Sequence, residues 1–161
     1  GAGRGAIGPT AARAAEALGC RVVYAPTSGI GREEAYPALS LDELLRTSDI
    51  VSIHCPLTPA TRGLVGAREL ALMKPSAILI NVARGTIVDE RALAEALDSG
   101  RLAGAALDVF AREPLEKGNP LLAIRDRDRL LLSPHNAWAA AEALETLVGC
   151  IVANIEEFCA K

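Results

Sequence analysis

Short β-rich runs separated by helical stretches of about ten residues constrain this chain more than any other feature, because parallel strands need crossover connections of that size. Residues 9–19 read as a helix, with Pro9 in its first turn and Gly19 as its stop. The run RVVYA over 21–25 is β-rich and ends in the turn-forming P-T-S-G. Ser40 and Glu43 have the spacing of a capping box, for a helix running to about Thr47. Strands are expected over 49–54, 77–82, 102–109 and 130–133, and helices over 67–73, from Asp89 through Ser99, and over 136–159. Near-continuous apolar runs such as Ile78 to Ile80 fit a sheet covered on both faces. The fold class is α/β, a doubly wound parallel sheet.

Composition narrows the functions such a fold can serve. With 17 basic residues against 20 acidic ones, the net charge is −3, and a nucleic-acid surface lacks the concentrated basic patch it needs. No apolar run approaches the ~20 residues of a membrane span, and no basic-then-apolar leader opens the chain. The four cysteines, Cys20, Cys55, Cys150 and Cys159, show no C-x-x-C spacing, and there are two histidines, His54 and His135. The expectation is a metal-free, soluble, cytoplasmic domain.

Gly3, Gly5 and Gly8 form G-x-G-x-x-G at the mouth of the first helix, with Ala6 and Ile7 between the last two. Such glycines turn the chain tightly, let backbone approach a pyrophosphate and allow close helix–strand packing, while the helix N-terminus attracts the anion. A loop of this kind follows a first strand, so the sheet is expected to lack that strand here and the chain to be a piece of something longer. An acidic residue belongs near the end of the next strand, to hold a ribose 2′-hydroxyl. Ala25, Pro26, Thr27 and Ser28 stand there instead, and the nearest acids are Glu33 and Glu34, beside Arg32. Without the carboxylate a 2′-phosphate is not repelled, and Thr27, Ser28 or Arg32 can hydrogen-bond to one. The bland alternative is a loop whose side chains have no cofactor role.

Four segments carry the chemistry: IVSIHCPLTPAT over 50–61, LMKPSAILINVARGTIVDE over 72–90, GAALDVFAREP over 104–114 and SPHNAW over 133–138. In this order and spacing they closely resemble the NAD(P)-dependent D-2-hydroxyacid dehydrogenases, over nearly the whole chain. Reduction of a 2-keto acid needs a cation for the carboxylate, a proton donor for the developing alkoxide and a hydride source. Arg84 follows a strand at the carboxyl edge of the sheet, where open α/β sheets place ligands, and its guanidinium suits bidentate carboxylate recognition. The resemblance implies that Arg84 binds the substrate carboxylate and carbonyl, that His135 is the general acid/base and that Glu113 orients it. It places Asp108 near the nicotinamide; an aspartate hydrogen-bonded to backbone is the alternative there. It also implies cofactor contacts from Cys55, Pro56, Thr61, Val82, Ala83, Arg84 and His135, and a substrate-pocket wall from Trp138, whose alternative is plain helix-packing surface. His54 is expected to be non-catalytic and Cys55 a buried, unreactive thiol.

Members of that family are about twice this length, so residues 1–161 are expected to be the NAD(P)-binding domain, with the substrate domain largely absent. The isolated chain is expected to bind nucleotide weakly and turn over poorly. The function implied is hydride transfer between NAD(P)H and a small 2-keto acid, with hydroxypyruvate or glyoxylate favoured by the A-W after His135 and the T-S-G after the second strand. NAD and NADP both remain open as cofactor, with a lean to NADP tolerance, and a homodimer through this domain is expected. The alternatives are an NAD(H)-sensing binding module of the C-terminal-binding-protein corepressor type, or an inactive fragment.

Overall fold

The computed structural model describes residues 7–27 and 36–160. Among the described residues, five α-helices and four strands follow in the order α1 (Ile7–Ala17), α2 (Leu41–Thr47), β1 (Ile50–Ile53), α3 (Ala67–Leu72), β2 (Ile78–Asn81), α4 (Glu90–Asp98), β3 (Gly104–Leu107), β4 (Leu130–Leu132) and α5 (Ala141–Cys159). Their ends follow from local chemistry. Ser40 Oγ accepts from the Glu43 N–H at 3.2 Å and Glu43 Oε2 accepts from the Ser40 N–H at 3.0 Å, which completes the expected capping box of α2. Asp89 caps α4 by accepting from the Arg91 and Ala92 amides, each at 3.0 Å. Gly100, at φ 71°, takes the left-handed conformation that ends the same helix.

All strand pairs are parallel and the sheet order is β1-β2-β3-β4. Each crossover therefore advances one strand in the same direction, and right-handed crossovers of that kind put their helices on one face. Helices α2, α3 and α4 and the 3-10 turn Pro120–Ala123 pack against one another in that order. They bury the alternate strand residues Val51, Ile53, Leu79, Ala105 and Leu107 against Leu44, Leu45, Leu70, Leu93 and Leu97.

Two sequence expectations change here. Within the run 21–25 the structure has isolated bridge positions at Tyr24 and Ala25 rather than a full strand, and among the described residues Tyr24 bridges Ala38 in parallel. The sheet is also covered on one face only by the described residues. Ile50, Ile78 and Leu131, which alternate with the buried set, are exposed, and neither α1 nor α5 has a buried residue. Among the described residues, no helix is long and apolar enough to cross a membrane.

Leu79 is fully buried at the centre of the covered face. Leu79→Ala is expected to destabilise the chain by about 2–5 kcal/mol in urea unfolding, whereas Ile50→Thr on the open face is expected to cost less than about 1 kcal/mol.

Candidate active site

The carboxyl ends of β2, β3 and β4 lie side by side, so three segments distant in sequence meet at one edge of the sheet. The last residue of β2, Asn81, is a buried polar side chain in an apolar strand. Its Oδ1 accepts from the Ala83 N–H at 3.0 Å and its Nδ2 donates to the Arg84 carbonyl at 3.0 Å. Asn81 thus folds the Val82–Arg84 turn, and Arg84 leaves it with an exposed guanidinium whose Nη1 donates to the Ala83 carbonyl at 2.6 Å. Gly85 follows, pressed against the Phe110–Ala111 peptide. A Cβ there would collide with the Phe110 carbonyl group and the Ala111 nitrogen, so only glycine fits. Arg84 and the loop that bears Glu113 are therefore carried on touching backbone.

Beyond β3, Asp108 is 4% exposed and fully engaged. Its Oδ1 accepts from Ser133 Oγ at 2.5 Å and from the Asn136 N–H at 3.0 Å, and its Oδ2 from the Ala137 N–H at 2.9 Å. Burial pushes this carboxyl up, but the donors from Ser133, Ala137 and Asn136 together outweigh it and hold the group below the usual carboxylate range. Those bonds tie down the loop that carries His135. They also account for α5 starting at Ala141 rather than at 136 as the sequence pattern implied. His135 itself has φ 52°, a left-handed conformation uncommon for a side chain of this size and held by the loop around it.

His135 Nδ1 lies 2.7 Å from Glu113 Oε2, and Glu113 Oε1 accepts from the Phe110 N–H at 3.0 Å. The His135 hydrogen bond, and after it the Phe110 amide, lowers the Glu113 carboxyl below its ordinary value. An ionised carboxylate only accepts, so the proton on this contact belongs to Nδ1. Nε2 is then the ring nitrogen left for another partner. An open hollow of about 650 Å³ borders the pair, walled by Phe110, Pro114, Leu115 and Leu132. Trp138 Nε1 donates to the His135 carbonyl at 2.7 Å while the side chain stays exposed.

The remaining expected residues divide by what the structure does with them. Cys55 is buried, and burial pushes its thiol up, which suits an unreactive sulfur. Thr61 is buried with its hydroxyl donating to the Pro56 carbonyl at 2.7 Å, so it shapes the loop after β1 while Pro56 stays exposed. Val82 and Ala83 are half-buried at the end of β2, and Thr27 is half-buried at a bend after the Tyr24 bridge. Gly3, Gly5, Ala6, Ser28, Arg32, Glu33 and Glu34 lie outside the described residues. His54 lies apart from the Glu113–His135 pair in the hydrogen-bond network, with Nε2 2.8 Å from Ser52 Oγ, and burial pushes its imidazole down. Among the described residues, no group of three metal-ligating side chains occurs.

The described residues suit a dinucleotide in two respects. The first turn of α1, from Ile7 and the half-buried Gly8, carries no acidic residue to repel a phosphate. At the carboxyl edge of the sheet, the Asp108 carboxylate is buried and its charge is compensated by three donors.

A family profile described as "D-isomer specific 2-hydroxyacid dehydrogenase, NAD binding domain" matches residues 2–137. A putative 2-hydroxyacid dehydrogenase of Haemophilus influenzae is 47% identical over 159 residues, covering 97% of this chain and 50% of that protein. A glycerate dehydrogenase of Methylorubrum extorquens is 44% identical over 161 residues, covering 98% and 48%. Among solved structures, the NAD-complexed D-isomer specific 2-hydroxyacid dehydrogenase of Lactobacillus delbrueckii ssp. bulgaricus superposes with a TM-score of 0.87 at 29% identity, covering 99% of this chain and 52% of that one. An acyclic imino acid reductase in complex with NADPH and D-Arg superposes with a TM-score of 0.88 at 34% identity, covering 99% and 50%. The chain belongs to the D-isomer specific 2-hydroxyacid dehydrogenase family, matching its NAD-binding domain, and it spans about half the length of these relatives.

The Glu113 carboxyl sits below its unfolded value, so the stability it contributes is full above the ordinary carboxylate range, about 4.3, and is lost as pH falls through the folded value. His135→Gln can reach the Nε2 position but offers nothing to Glu113. In carbon-detected NMR titration this variant is expected to move the Glu113 midpoint up toward the ordinary range.

Proposed function

We propose that the protein containing this domain reduces a small 2-keto acid to the D-2-hydroxy acid, with hydroxypyruvate and glyoxylate as the favoured substrates. The observation that carries the proposal is the His135 Nδ1–Glu113 Oε2 hydrogen bond of 2.7 Å, which leaves Nε2 as the proton donor to a substrate. A reduced nicotinamide, when bound, would supply the hydride for the carbonyl carbon. Nε2–H of the His135 imidazolium gives its proton to the carbonyl oxygen, and the Glu113 carboxylate orients the ring by accepting from Nδ1–H. The Arg84 guanidinium holds the substrate carboxylate by paired charge-assisted hydrogen bonds and orients the carbonyl. The Trp138 ring, its N–H committed to the His135 carbonyl, walls the substrate pocket through its apolar surface. In the reverse direction neutral His135 takes the hydroxyl proton.

The cofactor site combines the glycine loop of Gly3, Gly5, Ala6, Ile7 and Gly8 at the α1 N-terminus with backbone at Cys55, Pro56, Val82 and Ala83. Thr61 shapes this cleft, and Asp108 serves it by fixing the His135 loop. Thr27, Ser28 and Arg32 replace the usual ribose-binding acid, so NADPH is accepted beside NADH; the relative bound to NADPH is consistent with that tolerance. The enzyme acts in the cytoplasm as a homodimer joined through this domain.

The test is a steady-state assay of the full-length protein with hydroxypyruvate and with glyoxylate, each with NADH and NADPH. Reduction of either substrate is expected, with His135→Gln lowering kcat about 10²- to 10⁴-fold. Arg84→Ala is expected to raise KM for the keto acid far more than that for the coenzyme. No reduction of any 2-keto acid by the wild-type protein, with either coenzyme bound, would contradict the proposal.

A further inference from the structure

Glu90 has no part in the chemistry above, yet both its oxygens are committed. It is the first residue of α4, directly after the capping Asp89, on a helix anchored in the core by Leu93 and Leu97. Its Oε1 accepts from the Ala111 N–H at 2.7 Å, and its Oε2 accepts from Asn119 Nδ2 at 2.7 Å. Asn119 is held in turn, since its Oδ1 accepts from the Leu121 N–H at 2.9 Å to cap the 3-10 turn Pro120–Ala123, and Leu121 is buried. One carboxylate thus ties α4 to the start and to the middle of the long connection between β3 and β4.

The neighbouring amide gives that tie its meaning. Phe110 N–H donates to Glu113 Oε1, and Ala111 N–H donates to Glu90 Oε1, so two carboxylates grip successive amides of one loop. Gly85 closes the third side, its backbone against the peptide that joins those two residues. We infer that Glu90 is a positioning residue, setting the loop that presents Glu113 to His135 through its hydrogen bonds to the Ala111 amide and the Asn119 side chain. Ala111 is exposed, so water satisfies its amide when Glu90 is removed. What is lost is the place of the loop rather than the solvation of a buried group. This inference rests on Glu113 and His135 acting as the acid/base pair.

Three variants test it: Glu90→Ala, Glu90→Gln and the exchange Glu90→Gln with Asn119→Asp. The amide introduced by Glu90→Gln keeps an acceptor for the Ala111 N–H but turns a donor toward the Asn119 donor, whereas the exchange restores a donor–acceptor match across the gap. Two readouts apply: the Glu113 titration midpoint in this chain by NMR, and kcat with KM for the coenzyme in the full-length enzyme. Glu90→Ala is expected to raise the Glu113 midpoint and to lower kcat about 10- to 100-fold with coenzyme KM unchanged. Glu90→Gln is expected to do less, and the exchange to recover most of the loss. An unchanged Glu113 midpoint in a folded Glu90→Ala protein overturns the inference, as does a loss in the single variants that the exchange fails to recover. A raised midpoint with unchanged kcat supports the positioning of Glu113 and counts instead against its part in catalysis.

Discussion

A carboxylate cannot be buried without donors, and the rest of this site depends on how Asp108 meets that requirement. It takes a hydroxyl from Ser133 and amides from Asn136 and Ala137, all from the segment after β4. With three bonds converging on one buried group, that segment has a single arrangement available. His135 is held at positive φ within it, and Trp138 bonds back to the His135 carbonyl. Asp108 thereby fixes where the imidazole sits without touching the ring.

Sheet topology supplies the other half of the arrangement. Parallel strands in sequential order bring the Arg84 turn, the Asp108–Glu113 loop and the Ser133–His135 loop to one edge from segments far apart in the chain. Each loop is then clamped by a different device: an asparagine folding its own turn at Asn81, a glycine admitting a neighbouring peptide at Gly85, and an aspartate gathering amides at Asp108. A cation, an imidazole and an acidic partner share an edge whose backbone is otherwise determined. Preorganisation of this kind lowers the reorganisation needed at reaction.

Much of this was legible in the sequence. The Ser40–Glu43 box, the Asp89 cap and the succession of β2, α4 and β3 depend on nearest neighbours, and they stand within a residue or two of where the pattern puts them. Over 21–25 the structure has bridge positions at Tyr24 and Ala25 where the composition implies a full strand. Coverage of both faces was inferred from apolar runs, yet Ile50, Ile78 and Leu131 are apolar and exposed. No periodicity marks Ser133, Gly85 or Glu90 as structural devices, because their partners lie across loops far along the chain. A polar residue inside an apolar strand, as at Asn81, was the one visible signal. The resemblance named Arg84, Glu113 and His135, but the reason they hold their positions is tertiary.

The central claim is that Glu113 fixes the His135 tautomer, so that Nε2 is the nitrogen that exchanges protons with a substrate. Long-range proton–nitrogen NMR of this chain tests it directly, since the two histidines, His54 and His135, give separable imidazole patterns. The neutral form of His135 should carry its proton on Nδ1, and Glu113→Gln should weaken that preference. A neutral His135 protonated on Nε2 in the wild-type chain would contradict the account.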